Sequence, residues 1–102
     1  MLAEMASITY SMESIIYRTA AAYDAGKSVS RQSAIVKLLC SEGLVKVADR
    51  AVQVHGGMGY SRELPIERFY RDARINPIFE GTNEIQKIVI ARDVLKKNGV
   101  LG

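Results

Sequence analysis

The 102-residue sequence contains one cysteine and one histidine. Cys40 therefore has no partner within the chain for a disulfide, and a zinc site with the usual four Cys and His ligands cannot form from this chain alone. A Cys/His nucleophile pair would need both Cys40 and His55, which are more simply interpreted as a packing residue and a loop residue. We predict no metal site and no cysteine chemistry.

Long hydrophobic runs are also absent, and none approaches the roughly 18 apolar residues of a membrane span. The first five residues lack the basic and apolar regions of a secretory signal, which favours a reducing compartment. The chain is 48% hydrophobic and 25% charged, a composition typical of one soluble globular domain over residues 1–102.

A strongly basic surface is missing as well, because the net charge is only +3. Arginines alternate with acids, as in Glu67 with Arg71 and Arg68 with Asp72, which are i,i+4 pairs that stabilise a helix. We expect no nucleic-acid binding, since the chain has neither a basic face nor a known reader motif.

Apolar periodicity predicts an all-α fold. The predicted helices cover residues 2–25, a second stretch that Ser28 or Ser30 can cap and that extends to about Val54, a short segment opened by Leu64 and Pro65, and about 82–97. The short helix carries Ile66, Phe69, Tyr70 and Ala73 on one face, which we expect to pack. Gly26 is placed to end the first helix, and Gly43 within the second indicates a close helix crossing. The first helix begins abruptly inside its amphipathic pattern, which suggests a partner helix upstream.

Glu80 follows an apolar Pro77-Ile78-Phe79 segment and precedes Gly81-Thr82, a natural helix start. Apolar neighbours would raise the pKa of the carboxyl, while a following helix N-terminus would partly restore the anion. Such a carboxylate suits a general base working near neutral pH. The residues alone leave open that Glu80 is a solvated side chain in an interhelical loop.

Three glycines, Gly56, Gly57 and Gly59, follow the second helix. A dinucleotide fingerprint of the GxGxxG type fails, because Arg62 stands where the third glycine should be and a helix precedes the stretch. An esterase-type HGGG oxyanion loop fails too, since the chain has no GxSxG motif. An ordinary helix end and a backbone that approaches a ligand closely both remain open.

Three motifs together resemble the C-terminal helical domain of the acyl-CoA dehydrogenases. They are Arg71-Asp72-Ala73-Arg74, the Phe79-Glu80-Gly81-Thr82-Asn83-Glu84-Ile85 segment, and the segment from Gln53 to Tyr60. The resemblance extends from about Met1 to Lys97. It implies an antiparallel bundle of about four helices in which the first helix of the family bundle, the N-terminal helical domain and the middle β-domain have no counterpart.

The resemblance also implies a reaction, the α,β-dehydrogenation of acyl-CoA thioesters. Glu80 matches the catalytic base, which removes the pro-R α-proton while the β-hydrogen leaves as hydride to FAD. Phe79 and Gly81 match the substrate pocket. A glutamate at this position follows the short- and medium-chain type pattern.

By the same resemblance, Gln53, Gly56 and Gly57 match a segment that approaches the FAD of a neighbouring subunit, and Thr82 and Glu84 match positions near FAD. The implied partners are an acyl-CoA substrate, electron-transferring flavoprotein as acceptor, and further copies in a dimer or tetramer. The implied location is the bacterial cytoplasm or the mitochondrial matrix. An alternative hypothesis is a catalytically inactive helical module, or a remnant of such an enzyme, that self-associates.

Overall fold

The computed structural model describes residues 1–100, which form five helices. They are α1 (Leu2–Asp24), α2 (Ser30–His55), α3 (Gly57–Tyr60), α4 (Ile66–Arg74) and α5 (Asn83–Lys97). No strand occurs in this range, and the all-α prediction is confirmed. Four of the helices match the four predicted ones; the one-turn α3 was not predicted. Over residues 1–100, no helix combines the length and apolarity needed to cross a bilayer.

The predicted end of α1 is confirmed. Ala25 is the C-cap and Gly26 follows it with φ +80°. The Lys27 amide donates to the Ala22 carbonyl at 3.0 Å, and the Gly26 amide donates to the Tyr23 carbonyl at 2.9 Å. This pair of bonds is a Schellman motif, which needs a left-handed residue at the position of Gly26.

At the start of α2, the expected serine cap is wrong. Val29 occupies the N-cap position and no side chain caps the helix. Val29 contributes only its carbonyl, which accepts from the Ser33 amide at 2.7 Å. The two flanking serines therefore do not fix this helix start.

Helix α2 lies at the centre of the fold. It contacts α1, α3, α4 and α5, whereas among the described elements α1 and α5 contact only α2. Both run antiparallel to it: Glu4 near the start of α1 pairs with Arg50 near the end of α2, and Asp93 of α5 pairs with Arg31 at the start of α2. The arrangement is elongated, 54 × 25 × 20 Å.

Gly43 marks the crossing of α1 and α2, as predicted. A Cβ at this position would lie 2.7 Å from Met12 Sδ and 3.2 Å from Ile8 Cγ2. Because such contacts are shorter than van der Waals distance, a glycine permits this approach of the two helices.

The core is thin and consists of small side chains. The buried apolar residues are Ala34, Ala48 and Ala73, and the buried polar ones are Ser41 and Asn83. The accessible surface is 7380 Å², whereas a compact monomer of this mass exposes about 5,700 Å². The chain therefore exposes more surface than a compact monomer of its size.

Large apolar side chains remain exposed on every helix, and those of α1, α4 and α5 are the most relevant here. They include Leu2, Ile16 and Tyr23 on α1, Phe69 and Tyr70 on α4, and Ile85, Ile88 and Leu95 on α5. The prediction that the apolar face of α4 packs is therefore correct for Ala73 and wrong, within this chain, for Phe69 and Tyr70. These faces are suited to packing against further protein.

Candidate active site

The segment between α4 and α5 folds into a compact, hydrogen-bonded turn. Backbone amides of Ile78 and Phe79 donate to the Ile75 carbonyl at 2.9 and 3.1 Å. Further along, the Asn83 amide donates to the Pro77 carbonyl at 2.9 Å and closes the turn from the α5 side. Glu80 lies within the segment that these bonds enclose.

Glu80 has a left-handed backbone, with φ +58°, and Gly81 follows with φ +82°. Among residues 1–100, Glu80 is the one non-glycine residue with positive φ. For an L residue this conformation costs about 1–2 kcal/mol, so the surroundings must hold it. Part of that support is the Gln86 side chain, whose Nε2 donates to the carbonyls of Glu80 at 3.3 Å and Gly81 at 3.4 Å.

The side chains around Glu80 do not shield it within this chain. Glu80 is exposed, and Ile78 and Phe79 are 50% and 47% exposed. The expectation that the apolar Pro77-Ile78-Phe79 segment shields the carboxylate is therefore not met by this chain alone. Ile78, Phe79 and Glu80 are instead exposed side by side, and Gly81 is exposed as well.

Thr82 caps α5 as predicted. Its Oγ1 accepts from the Ile85 amide at 3.3 Å, and its carbonyl accepts from the Gln86 amide at 3.0 Å. Glu84 lies exposed in the first turn, where a negative charge suits the helix dipole. Because the amides of Asn83, Ile85 and Gln86 have internal acceptors and Glu84 is negative, this helix start is poorly suited to a phosphate.

Asn83 is the one residue of this segment that the sequence did not single out and that the structure buries, at 3% exposure. Its Oδ1 accepts from Lys37 Nζ at 2.8 Å, and its Nδ2 donates to Ser41 Oγ at 3.0 Å and to Glu42 Oε1 at 3.3 Å. Ser41 Oγ is also 3.2 Å from the Leu38 carbonyl, to which it donates. The start of α5 is thus hydrogen-bonded to the middle of α2.

The glycine turn, Gly56 to Gly59, follows the C-terminal end of α2. Gly56 has φ +64° and ψ −147°, a conformation essentially restricted to glycine. Gly59 is buried, and a Cβ there would lie 2.5 Å from the Val52 carbonyl oxygen. Gln53 and Gly57 are exposed, and a Cβ on Gly57 would meet nothing within 4 Å. The backbone at Gly57 is therefore open to a ligand, whereas the Gly56 amide already donates to the Gln53 carbonyl at 3.1 Å and the Gly56 carbonyl accepts from the Gly59 amide at 2.9 Å.

A cavity of about 850 Å³ adjoins this turn, between the end of α2, α3 and α4. Its lining includes Arg62, Arg68 and Arg71, together with Tyr60 and Tyr70. Within residues 1–100, none of these arginines forms an ion pair with a carboxylate, so the expected pairs Glu67 with Arg71 and Arg68 with Asp72 are not formed. The cavity is open, and its lining also contains the carboxylates of Asp49 and Glu67.

The chain does not bring its two groups of predicted residues together. The start of α5 contacts α2 at Lys37, Ser41 and Glu42, whereas Gln53 lies eleven residues beyond Glu42 on the same helix, which is about 17 Å along the axis. Helices α3 and α5 make no contact with each other. Within this chain the two groups are therefore separate.

Cys40 does not take part in either group. Its Sγ lies 4.0 Å from the Met12 carbonyl, and burial raises the pKa of the thiol. A raised pKa is the opposite of what a nucleophilic cysteine needs. Over residues 1–100, no cluster of three His, Cys, Asp or Glu side chains is suited to a metal ion.

Residues 1–95 match the model of the acyl-CoA dehydrogenase C-terminal domain. This chain belongs to that family. Relatives of this chain include acyl-CoA dehydrogenases and reductases that act on acyl-CoA thioesters, and the acyl-CoA dehydrogenases among them are FAD-dependent. The prediction of the family and of an antiparallel helical domain is confirmed.

Two relatives give the match more detail. The acryloyl-CoA reductase (NADH) of Anaerotignum propionicum is 46% identical over 96 residues, which is 94% of this chain and 24% of that protein. The mitochondrial short-chain specific acyl-CoA dehydrogenase of Rattus norvegicus is 45% identical over 95 residues, 93% of this chain and 23% of that protein. The acyl-CoA dehydrogenase domain described here thus spans about a quarter of the length of these relatives.

The fold agrees with a solved structure of the same family. The butyryl-CoA dehydrogenase of Megasphaera elsdenii superimposes with a TM-score of 0.89 at 38% identity, covering 92% of this chain and 24% of that one. At this identity the likeness extends beyond the fold to the family.

The acyl-CoA dehydrogenase domain has residues that fit FAD at its glycine turn. The turn offers a neutral amide side chain, Gln53, and exposed backbone without Cβ atoms at Gly56 and Gly57. The adjoining cavity contains three arginines, whose guanidinium groups are suited to a diphosphate, together with the carboxylates of Asp49 and Glu67. The glycine turn thus offers FAD an uncharged side chain and exposed backbone, whereas the start of α5 presents the negative Glu84.

Sequence reasoning missed the residues that hold the Glu80 turn in place. Asn83 lies 46 positions from Lys37 and 42 positions from Ser41 along the chain, so no local spacing links it to them. Gln86 was detectable in principle, because a long amide side chain one turn into a helix can reach back to the preceding loop.

Proposed function

We propose that this chain is the base-bearing domain of an FAD-dependent acyl-CoA dehydrogenase, with Glu80 as the catalytic base. The observation that supports this most directly is the match of residues 1–95 to the family domain. The strained, hydrogen-bonded backbone at Glu80 adds physical support, because such strain is concentrated at functional sites.

In this proposal the Glu80 carboxylate takes the proton from the α-carbon of the thioester. The Cα–H bond breaks, its electron pair forms the new C=C bond, and the β-hydrogen leaves with its own electron pair. FAD, when bound, supplies the acceptor for that hydride. Charge develops on the thioester oxygen during proton removal, and a backbone N–H close to the base would stabilise it.

The exposed apolar surface formed by Ile78 and Phe79 would contact the acyl group, with Gly81 leaving room beside the base. Because Glu80 and its apolar neighbours are exposed in this chain, water would have to be excluded by other parts of the enzyme. A dry setting is what allows a carboxylate to act as a strong base.

In this proposal FAD is held by Gln53, Gly56 and Gly57. The part of the cofactor that faces Glu80 lies near Thr82 and Glu84. The separation of about 17 Å along α2 between the two groups supports an arrangement in which the glycine turn of one copy serves the Glu80 of another. The proposed enzyme is therefore a homo-oligomer, a dimer or a tetramer.

The direction of the reaction is a further part of the proposal. One relative is named as a reductase of acryloyl-CoA and another as a short-chain dehydrogenase. The same carboxylate serves both directions, since a base that removes the α-proton in oxidation returns it in reduction. We propose a short-chain acyl-CoA as substrate and electron-transferring flavoprotein, which associates with relatives, as electron partner.

The deciding experiment replaces Glu80 by Gln in the full-length protein. We expect E80Q to retain visible flavin absorption and to lose at least about 100-fold in turnover, the contribution of one general base. The matched control is E13Q, an exposed glutamate on α1 that belongs to neither group of predicted site residues, and it should retain turnover. Unchanged turnover in E80Q would refute the assignment.

A second candidate is a helical module that self-associates without chemistry. The observation that favours it is the large exposed apolar surface of α1, α4 and α5. Purification of the 102-residue chain distinguishes the two functions. A colourless, well-folded oligomer supports the module, whereas bound flavin supports the enzyme.

A further inference from the structure

Two residues of α5 hold the Glu80 turn from different sides. The backbone amide of Asn83 donates to the Pro77 carbonyl in the turn. Its side chain hydrogen-bonds α2, accepting from Lys37 Nζ at 2.8 Å and donating to Ser41 Oγ at 3.0 Å. Gln86 bonds the turn through Nε2, which reaches the carbonyls of Glu80 and Gly81.

The bonds of Asn83 fix the turn relative to α2. Its amide reaches back six residues to the Pro77 carbonyl, and its side chain is buried with every polar atom hydrogen-bonded. The turn therefore cannot slide along α2 without leaving a buried amide unpaired, which is costly in a site closed to water.

The bonds of Gln86 fix the backbone orientation at Glu80. The two carbonyls that it binds belong to consecutive left-handed residues, and both would rotate away if the backbone relaxed to an ordinary conformation. A Cβ at Gly81 would lie 2.8 Å from Gln86 Nε2, so the amide group is packed directly against the turn.

We propose that Asn83, with Lys37 behind it, and Gln86 are positioning residues that hold Glu80 in its left-handed conformation before substrate binds. This inference rests on the proposed role of Glu80 as the base. Preorganisation matters for proton removal, because a displacement of about 1 Å at the reacting groups costs about 100-fold in rate.

The alternative is that the same bonds only attach α5 to α2. The two roles give different results, because an attachment role changes how much protein folds and binds flavin, whereas a positioning role changes turnover per bound flavin. The measurements are therefore kcat per flavin, KM, and the pH dependence of kcat in the full-length enzyme.

The informative pair is K37M and K37R, since Lys37 lies on α2, outside the turn. We expect K37M to lower kcat per flavin about 10- to 100-fold with KM changed less than about threefold, and K37R to restore most of kcat by keeping a donor to Asn83. Q86L should act like K37M, because it removes the donor to the turn. A variant at Asn83 itself, N83A, should give the largest loss.

The matched control is N98A. Asn98 is the C-cap of α5, and its Nδ2 donates to the Val94 carbonyl at 2.8 Å at the opposite end of the helix from Asn83. We expect its kcat per flavin to equal that of the unmodified enzyme. Equal losses in N98A and N83A would overturn the proposal, as would an unchanged kcat per flavin in both K37M and Q86L.

Failure of this inference is distinguishable from failure of the proposed function. If E80Q keeps full turnover, Glu80 is not the base, and the turn is then tested by hydrogen exchange of residues 79–86, which N83A and Q86L should accelerate and N98A should not. If E80Q is inactive but the positioning variants keep both kcat and slow exchange, the base assignment stands and the positioning role is wrong.

Discussion

Gly43 of α2 faces Met12 of α1 so closely that a Cβ at position 43 would lie 2.7 Å from Met12 Sδ. This contact sets two effects against each other. Alanine is favoured over glycine in a helix by about 1 kcal/mol, whereas overpacking at a helix crossing costs about 1–3 kcal/mol. The sign of the substitution therefore depends on Met12.

We expect G43A to lower the free energy of unfolding by about 1 kcal/mol, because overpacking exceeds the gain in helix propensity. In an M12A background, where the obstructing side chain is gone, the same change should raise it by up to about 1 kcal/mol. Urea denaturation of the four proteins of this cycle measures both values. The same sign in both backgrounds would contradict the role of Met12.

Gly56 and Gly57 are adjacent glycines that should respond differently to alanine. Gly56 has a backbone conformation that side chains essentially do not adopt, so G56A should cost about 1–3 kcal/mol of stability. A Cβ at Gly57 would stand in open space without positive φ, so G57A should change stability by less than about 0.5 kcal/mol. Chemical denaturation of the two variants checks the difference, and similar values would count against the turn geometry.

Thr82 caps α5 through a hydroxyl that accepts from the Ile85 amide. T82A should lower the free energy of unfolding by about 1 kcal/mol, the usual value of an N-cap. The control T82S keeps the acceptor and should lose much less. Thermal unfolding of both variants measures the difference, and an equal loss would assign the effect to the methyl group instead.

Glu4 connects α1 to α2 through Arg50 and Lys46. The hydrogen bond from Arg50, then that from Lys46, lowers the pKa of the Glu4 carboxyl. Because the folded-state pKa lies below the unfolded one, the stabilisation is present above the unfolded pKa of about 4.3 and is lost as pH falls through the lower folded value.

We therefore expect E4Q to flatten the loss of stability between about pH 5 and pH 3. E13Q is the control, since Glu13 is exposed on the same helix and forms no ion pair within residues 1–100. Denaturation midpoints across this range test the effect, and added salt should reduce it. A parallel acid response in E4Q and the unmodified chain would be the contrary result.

Most of the fold could be predicted from the sequence because residues typical of helix starts and ends lie close to the helix boundaries. Gly26 and Pro65 lie within a residue or two of the observed helix boundaries, and Thr82 is the observed cap of α5. Helix α3 was missed because two of its four residues are glycines, which disfavour helix on propensity alone. It forms because the Gly59 amide reaches the Gly56 carbonyl at 2.9 Å and Gly59 packs against α2.

The candidate site was predictable only in part. Glu80, Thr82 and the glycine turn follow from local motifs, and the structure gives each a defined backbone role. The burial of Asn83 could not be read from spacing, since its partners lie 41 to 46 positions away on α2. The exposure of Phe79 could not be predicted from the sequence pattern either. An apolar residue gives the same pattern whether it is buried by its own chain or by another chain.

Helix α2 is the one described element that contacts both α1 and α5. Within residues 1–100, α1 and α5 do not touch, and both pack on α2. A displacement of α1 that moves α2 would reach the Glu80 turn through Lys37, Ser41 and Glu42, the α2 residues that hydrogen-bond Asn83.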